Sequence, residues 1–145
     1  MGPRHVWLAT HGRLRTHQQP AHARSRPCHG ARTDGGHLTV RLTDGCAVAE
    51  LRGEVDIAVV NRCAPRLDEL VARPHGLVVV DLSGVSFLDC AGLRMLIRIR
   101  SGTQVHGDRL AVVCAEPRVL RLFRLTGLQG VFRPVPTLLA AMRPG

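Results

Sequence analysis

The sequence predicts an α/β fold: a mixed β-sheet packed with about four helices, preceded by a disordered N-terminal tail. Three observations lead there. Leu77 to Leu82 is an apolar run interrupted only by Asp81, the pattern of a central strand covered on both faces. After a first hairpin, stretches with helical spacing alternate with strand-like runs, as expected for helices packed on a sheet. Residues 1 to 36 mix Pro, His, Arg, Gln and Gly with no period of 2 or 3.6 and little apolar content. A chain of 145 residues suits one folded domain, here residues 37–145 behind a 1–36 tail.

The elements follow in order. His37 to Leu42 and Cys46 to Leu51 alternate around Thr43-Asp44-Gly45, a hairpin turn signal. Gly53-Glu54-Val55-Asp56 leads into a helix ending near Arg73, with Leu67, Leu70 and Val71 as its apolar stripe. Pro65 should open the stable part of that helix or kink it. Pro74-His75-Gly76 is a break before the Leu77–Leu82 strand, and a tight loop follows. Asp89 is placed to cap the next helix, which is expected to run to about Arg100 and stop at Ser101-Gly102. Leu110 to Cys114 reads as a buried strand, and Pro117 to Leu125 as a helix with Pro at its first position. Val131 to Arg133 is expected to be a short last strand, and Thr137 to Met142 a terminal helical turn or two.

Composition narrows the function. Hydrophobic residues make up 45% of the chain and aromatics only 3%, so the core must be aliphatic. The net charge is +9 and every basic residue is Arg. Residues 1–33 carry six Arg and no acid, whereas residues 34–145 carry 14 Arg and 11 acids. The high pI is mainly a property of the tail, and direct nucleic-acid binding is not expected. No apolar run approaches the roughly 18 residues of a membrane span, so membrane insertion is not expected. Val6-Trp7-Leu8-Ala9 is too short for the apolar part of a signal peptide, which makes a cytoplasmic location the expectation. Five Cys form no Cys-x-x-Cys pair and read as thiols, mostly in the core. The tail histidines, His5, His11, His17, His22 and His29, match no metal-ligand spacing. There is no Gly-rich phosphate loop and no nucleophile with an evident base. The expectation is a protein with no cofactor, no metal and no enzymatic activity.

Four landmarks, in order, carry a family resemblance. They are Gly53-Glu54-Val55-Asp56, Asp81-Leu82-Ser83-Gly84-Val85-Ser86-Phe87, Asp89-Cys90-Ala91-Gly92-Leu93, and Leu125-Thr126-Gly127-Leu128 followed by Phe132. Over residues 37 to 143 the chain resembles the STAS domain, the fold of anti-sigma factor antagonists. That resemblance implies a monomer or weak dimer that binds an anti-sigma factor with a kinase-like ATP-binding fold and so frees a sigma factor. In phosphorylated members a serine just before the Gly of Asp-Ser-Ser-Gly is the switch. Here Asp89, Cys90, Ala91 and Gly92 are the equivalent loop, and Ala91 replaces the serine.

The resemblance places Asp56 and Ala91 at the switch and the partner contact, and the neighbouring helix faces add Arg94, Met95 and Arg98 as candidate partner contacts. Asp56 and Asp89 read equally as helix caps, and Arg94 and Arg98 as one solvated face. Met95 and Ile99 offer either contact area or core packing. Cys90 sits in a first helical turn, where amides and dipole favour thiolate, but a small residue packed under the loop has the same signature. Ser83, Ser86 and Thr126 read mainly as hydroxyls that bond nearby backbone. Three functional readings remain open: an antagonist without phosphorylation control, a STAS adaptor or scaffold subunit of a transporter or sensory complex, and a switch relocated to Cys90.

Overall fold

A computed structural model describes residues 35–144. The order is β1 (His37–Thr43), β2 (Cys46–Val55), α1 (Ile57–Val71), β3 (Leu77–Leu88), α2 (Cys90–His106), β4 (Arg109–Val113), α3 (Pro117–Leu125), α4 (Gln129–Phe132) and α5 (Leu138–Met142). The four strands lie side by side in sequence order. β1 and β2 form an antiparallel hairpin closed between Thr43 and Cys46, with Gly45 at φ +69° in the turn. β2, β3 and β4 are parallel, each pair joined by a helical crossover. This is the mixed sheet that the sequence predicts.

The sheet buries both faces, unequally. Val78, Val80 and Leu82 point with Ala47, Ala49 and Leu51 into the main core, where α1, α2, α3 and α4 pack. Val79, turned the other way, joins Cys46, Val48 and Val113 under Ala141 of α5. The alternation explains the consecutive Val78, Val79 and Val80: each successive Val finds a covered side. The aliphatic core contains two large rings, Phe123 and Phe132, tilted with centroids 5.9 Å apart.

Several boundaries differ from the expectations, beginning with β2, which runs past Leu51 to Val55. β3 continues through Ser83–Phe87, where a loop was expected, and pairs with β2 as far as Leu88 against Val55. The Asp81 carboxylate takes the Ser83 amide at 2.9 Å and its hydroxyl at 2.6 Å, so the polar residues are satisfied without leaving the strand. α2 runs past Ser101-Gly102 to His106. Gly102 lies against α1, where a Cβ would come within 2.6 Å of Val71 Cγ2, so it serves packing rather than termination. The true stop is Gly107, left-handed at φ +72°, with Asp108 N donating to the Thr103 carbonyl. Val131 lies in α4, not in a strand. The β-like contact falls instead at Val135, which bridges β4 through Val113, and Pro134 and Pro136 on either side have no N–H to extend it. α1 continues through Pro65, which lies on its exposed side, so the Asn61 carbonyl left without its usual donor faces water.

Apart from Gly35 and Gly36, the tail expected at residues 1–36 lies outside the described residues. Gly35 bridges Glu54, and the Arg62 guanidinium donates to the Gly36 carbonyl at 3.2 Å.

Candidate functional site

The site grows out of the ends of two neighbouring parallel strands. Val55 of β2 and Leu88 of β3 are register partners, so Asp56 and Asp89 follow them side by side, about 5 Å apart along the backbone. Each acid then opens a helix. The Asp56 carboxylate accepts from Val59 N at 3.0 Å, and that of Asp89 from Ala91 N at 2.9 Å and Gly92 N at 3.1 Å. Both aspartates are therefore N-caps, which satisfy amides that the first turn leaves without partners. Gly92 is a packing requirement, since any Cβ there would collide with the Leu88 side chain.

The two helices run out from these caps and leave a groove of about 270 Å³ between them. Val60, Leu67 and Met95 form its floor, and Arg94, Asp68 and Arg98 its rim. Across the rim Arg98 Nη2 meets Asp68 Oδ2 at 2.6 Å. Arg94 is exposed and makes no ion pair among the described residues. The mouth nearest the caps is apolar, with Ile57 at 52% exposure.

The residues singled out in the sequence separate here. Asp56, Asp89, Ala91 and Arg94 come together at one end, and Arg98 lies further along the rim. Met95 is buried, as is Ile99, and both belong to the core. Met95 therefore contributes a floor and little surface, because it points into the α1–α2 contact. Ala91 is only 7% exposed. Cys90 is exposed, not packed under the loop, because the cap turns residue 90 outward at the start of α2. The Cys46 and Cys114 thiols are buried, and desolvation pushes their pKa values up. Sequence reasoning passed over Ile57, Val60 and Asp68. The signal was present in an apolar residue directly after a cap and an acid eleven positions later on the same helix. Only the pairing of α1 with α2 makes a groove of them.

Among the described residues no cluster of three or more His, Cys, Asp or Glu could hold a metal ion, and no helix is long and apolar enough to cross a membrane. The arrangement offers no paired acid and base at a reacting distance. It offers a shaped surface with an apolar floor, a mixed-charge rim and two helix N-termini.

Comparison with known proteins gives the chain a family. The STAS domain model matches residues 37–141. The chain is 32% identical over 105 residues to the anti-sigma-F factor antagonist RsfB of Mycobacterium tuberculosis, covering 70% of this chain and 84% of that protein. Its fold is similar to the crystal structure of an anti-sigma factor antagonist from Mycobacterium paratuberculosis, with a TM-score of 0.70 and 29% identity over 77% of this chain and 95% of that one. It also shares the fold of the antagonist SpoIIAA in its unphosphorylated form, with a TM-score of 0.64 at 19% identity, over 72% of this chain and 92% of that one. The chain belongs to the STAS domain family of anti-sigma factor antagonists.

Proposed function

We propose that this protein binds an anti-sigma factor of kinase-like fold through the α1–α2 face and thereby frees a sigma factor, without control by loop-serine phosphorylation. One observation carries the second half of this reading. The residue between the Asp89 cap and Gly92 that would carry the hydroxyl is Ala91, seated at the mouth of the groove. Asp56, Ala91, Arg94 and Arg98 are the contact residues, with Met95 supporting them from beneath. The protein acts in the cytoplasm as a monomer or weak dimer, by binding and not by turnover.

The magnitude of the missing switch supports the reading. A phosphate brings about −1.5 to −2 charges. Two unit charges 4 Å apart interact by roughly 4 kcal/mol at an effective dielectric near 20. A hundredfold loss of affinity needs about 2.8 kcal/mol. A phosphoserine at position 91 would sit beside the Asp56 and Asp89 caps and face that repulsion at a binding surface. Alanine keeps the surface permanently competent, so the amount of protein is the only control.

The test is a titration of the cognate anti-sigma factor by calorimetry, with and without ATP. The expected result is an affinity unchanged by ATP for the parent protein, and ATP-dependent phosphorylation with release for Ala91→Ser. Arg94→Glu should weaken binding about tenfold while the melting temperature holds. Phosphorylation of the parent protein with release would refute the proposal, as would an Arg94→Glu variant that binds like the parent.

A further inference from the structure

The point where the N-terminal segment joins the domain is fixed by contacts. Gly35 bridges Glu54 near the end of β2, and a Cβ at Gly36 would collide with the Glu54 carbonyl, so the two glycines lie flush against that strand. Arg62 of α1 donates to the Gly36 carbonyl at 3.2 Å. Asp56, two residues after Glu54, caps α1, and Ile57 follows it at the mouth of the α1–α2 groove. Arg62 lies about 200° around α1 from Val60 of the groove floor, so the chain joins on one flank of this helix and the groove opens on the other. A single helix, about 10–12 Å across, separates the two.

The segment that joins there has one apolar run, Val6-Trp7-Leu8-Ala9, among residues 1–33. Residues 10–34 connect that run to Gly35. A flexible chain of about 25 residues has an end-to-end distance of about 25–30 Å, which exceeds the width of α1. The run can therefore reach the groove of its own domain. At about 270 Å³ that groove falls below the roughly 300–1,000 Å³ of small-molecule pockets and is sized for one or two side chains. Val60, Leu67 and Met95 give it an apolar floor, and Ile57 leaves an apolar mouth open to water. Arg94 has no carboxylate partner among the described residues, and a Trp ring offers its guanidinium a π-face. Arg4, two positions before Val6, brings a cation to the end where Asp56 and Asp89 lie.

We propose that residues 6–9 dock in the α1–α2 groove of their own chain, with Trp7 against Ile57 and Arg94, and compete there with the protein partner. The competition rests on the reading of this face as the anti-sigma factor site, whereas the docking does not. A tether of this length gives the run an effective concentration on the order of 1 mM. A Kd of about 0.3 mM, weak for a free peptide, then fills roughly three-quarters of the grooves and lowers the partner's apparent affinity about fourfold. The tail of a second copy would need a protein concentration on the order of 1 mM to do the same, which makes the chain's own tail the favoured occupant. Because the tether length is fixed, the tail is no switch. It sets the amount of protein at which the partner is captured.

The test reads Trp7 in the full chain, which has no other Trp and no Tyr to obscure its fluorescence. Acrylamide should quench Trp7 about threefold to fourfold less in the folded protein than in urea. The protection should hold over a roughly hundredfold dilution, as an intramolecular contact requires. Ile57→Glu, at an exposed residue of the mouth, should restore the quenching seen in urea, and Arg94→Ala should restore part of it. Leu139→Glu, at an exposed residue of α5 on the opposite face of the sheet, should change nothing. Circular dichroism establishes that each variant is folded. Equal quenching of Trp7 in the folded and unfolded protein would overturn the proposal, as would protection that survives Ile57→Glu or is lost equally with Leu139→Glu. Protection lost on dilution would overturn it in favour of a second copy. In the partner arm, Trp7→Ala should bind the cognate anti-sigma factor about fourfold more tightly by calorimetry. A protected Trp7 with no change in that affinity would leave the docking standing and overturn the competition, and with it the placement of the anti-sigma factor in this groove.

Discussion

α2 and α3 pack into the same core, but they are held there by different means. α2 has 17 residues, two amides satisfied by Asp89, a left-handed glycine stop, and buried contacts to both the sheet and α1. α3 has nine residues, and its cap is a single 3.4 Å contact from Arg118 N to Glu116. It ends on Thr126, whose hydroxyl donates back to the Leu122 carbonyl at 2.8 Å. Two side chains, Val119 and Phe123, anchor it. A long capped helix can carry a recognition surface built partly from core residues. A short anchored one keeps its outer face independent of the core, so that face can vary in charge at little cost to the fold.

The largest expected effect breaks the anchor of α3. Phe123 is fully buried and stacks obliquely on Phe132. Phe123→Ala should cost about 3–5 kcal/mol, read from the shift of the urea midpoint at constant slope. A loss under about 1 kcal/mol would mean that α3 contributes little to the fold and that the comparison fails. The next effect sharpens the contrast at the helix starts. Asp89→Ala should cost about 1–2 kcal/mol, because two first-turn amides lose their acceptor. Glu116→Ala should cost about half of that or less, since its one contact is long and exposed. Equal losses for the two caps would erase the distinction between the helices.

How much of this was legible depends on whether the signal was local. Asp89 as a cap, Pro117 as the first residue of α3 and Gly45 in the hairpin turn are local chemistry, and each lies where its own neighbours require. Gly102 and Ser83–Phe87 misled because tertiary contacts decided them. Gly102 answers to Val71, which precedes it by 31 residues, and the polar stretch of β3 is held as strand by Asp81 and by pairing with β2. Val131 misled because Phe132 needed a core position facing Phe123, and a helical turn supplies it. The caps of the site were readable for the same local reason. The groove was not, because Asp68 and Arg98 share no pattern until α1 and α2 are side by side.

The smallest expected effect concerns that rim. Arg98 and Asp68 are 62% and 47% exposed in their side chains, so water and salt screen a contact that is geometrically short. A double-mutant cycle with Arg98→Ala and Asp68→Ala should give a coupling of about 0.2–1 kcal/mol at low salt, smaller at high salt. Such a value would leave the pair available to exchange partners: when another protein's charges arrive, Arg98 and Asp68 can reorient at little cost to stability. A coupling above about 2 kcal/mol would require the pair to be shielded from water, with the groove closed over in solution. The α1–α2 face would then have to open before binding, and the recognition surface that sets α2 apart from α3 would not be preformed.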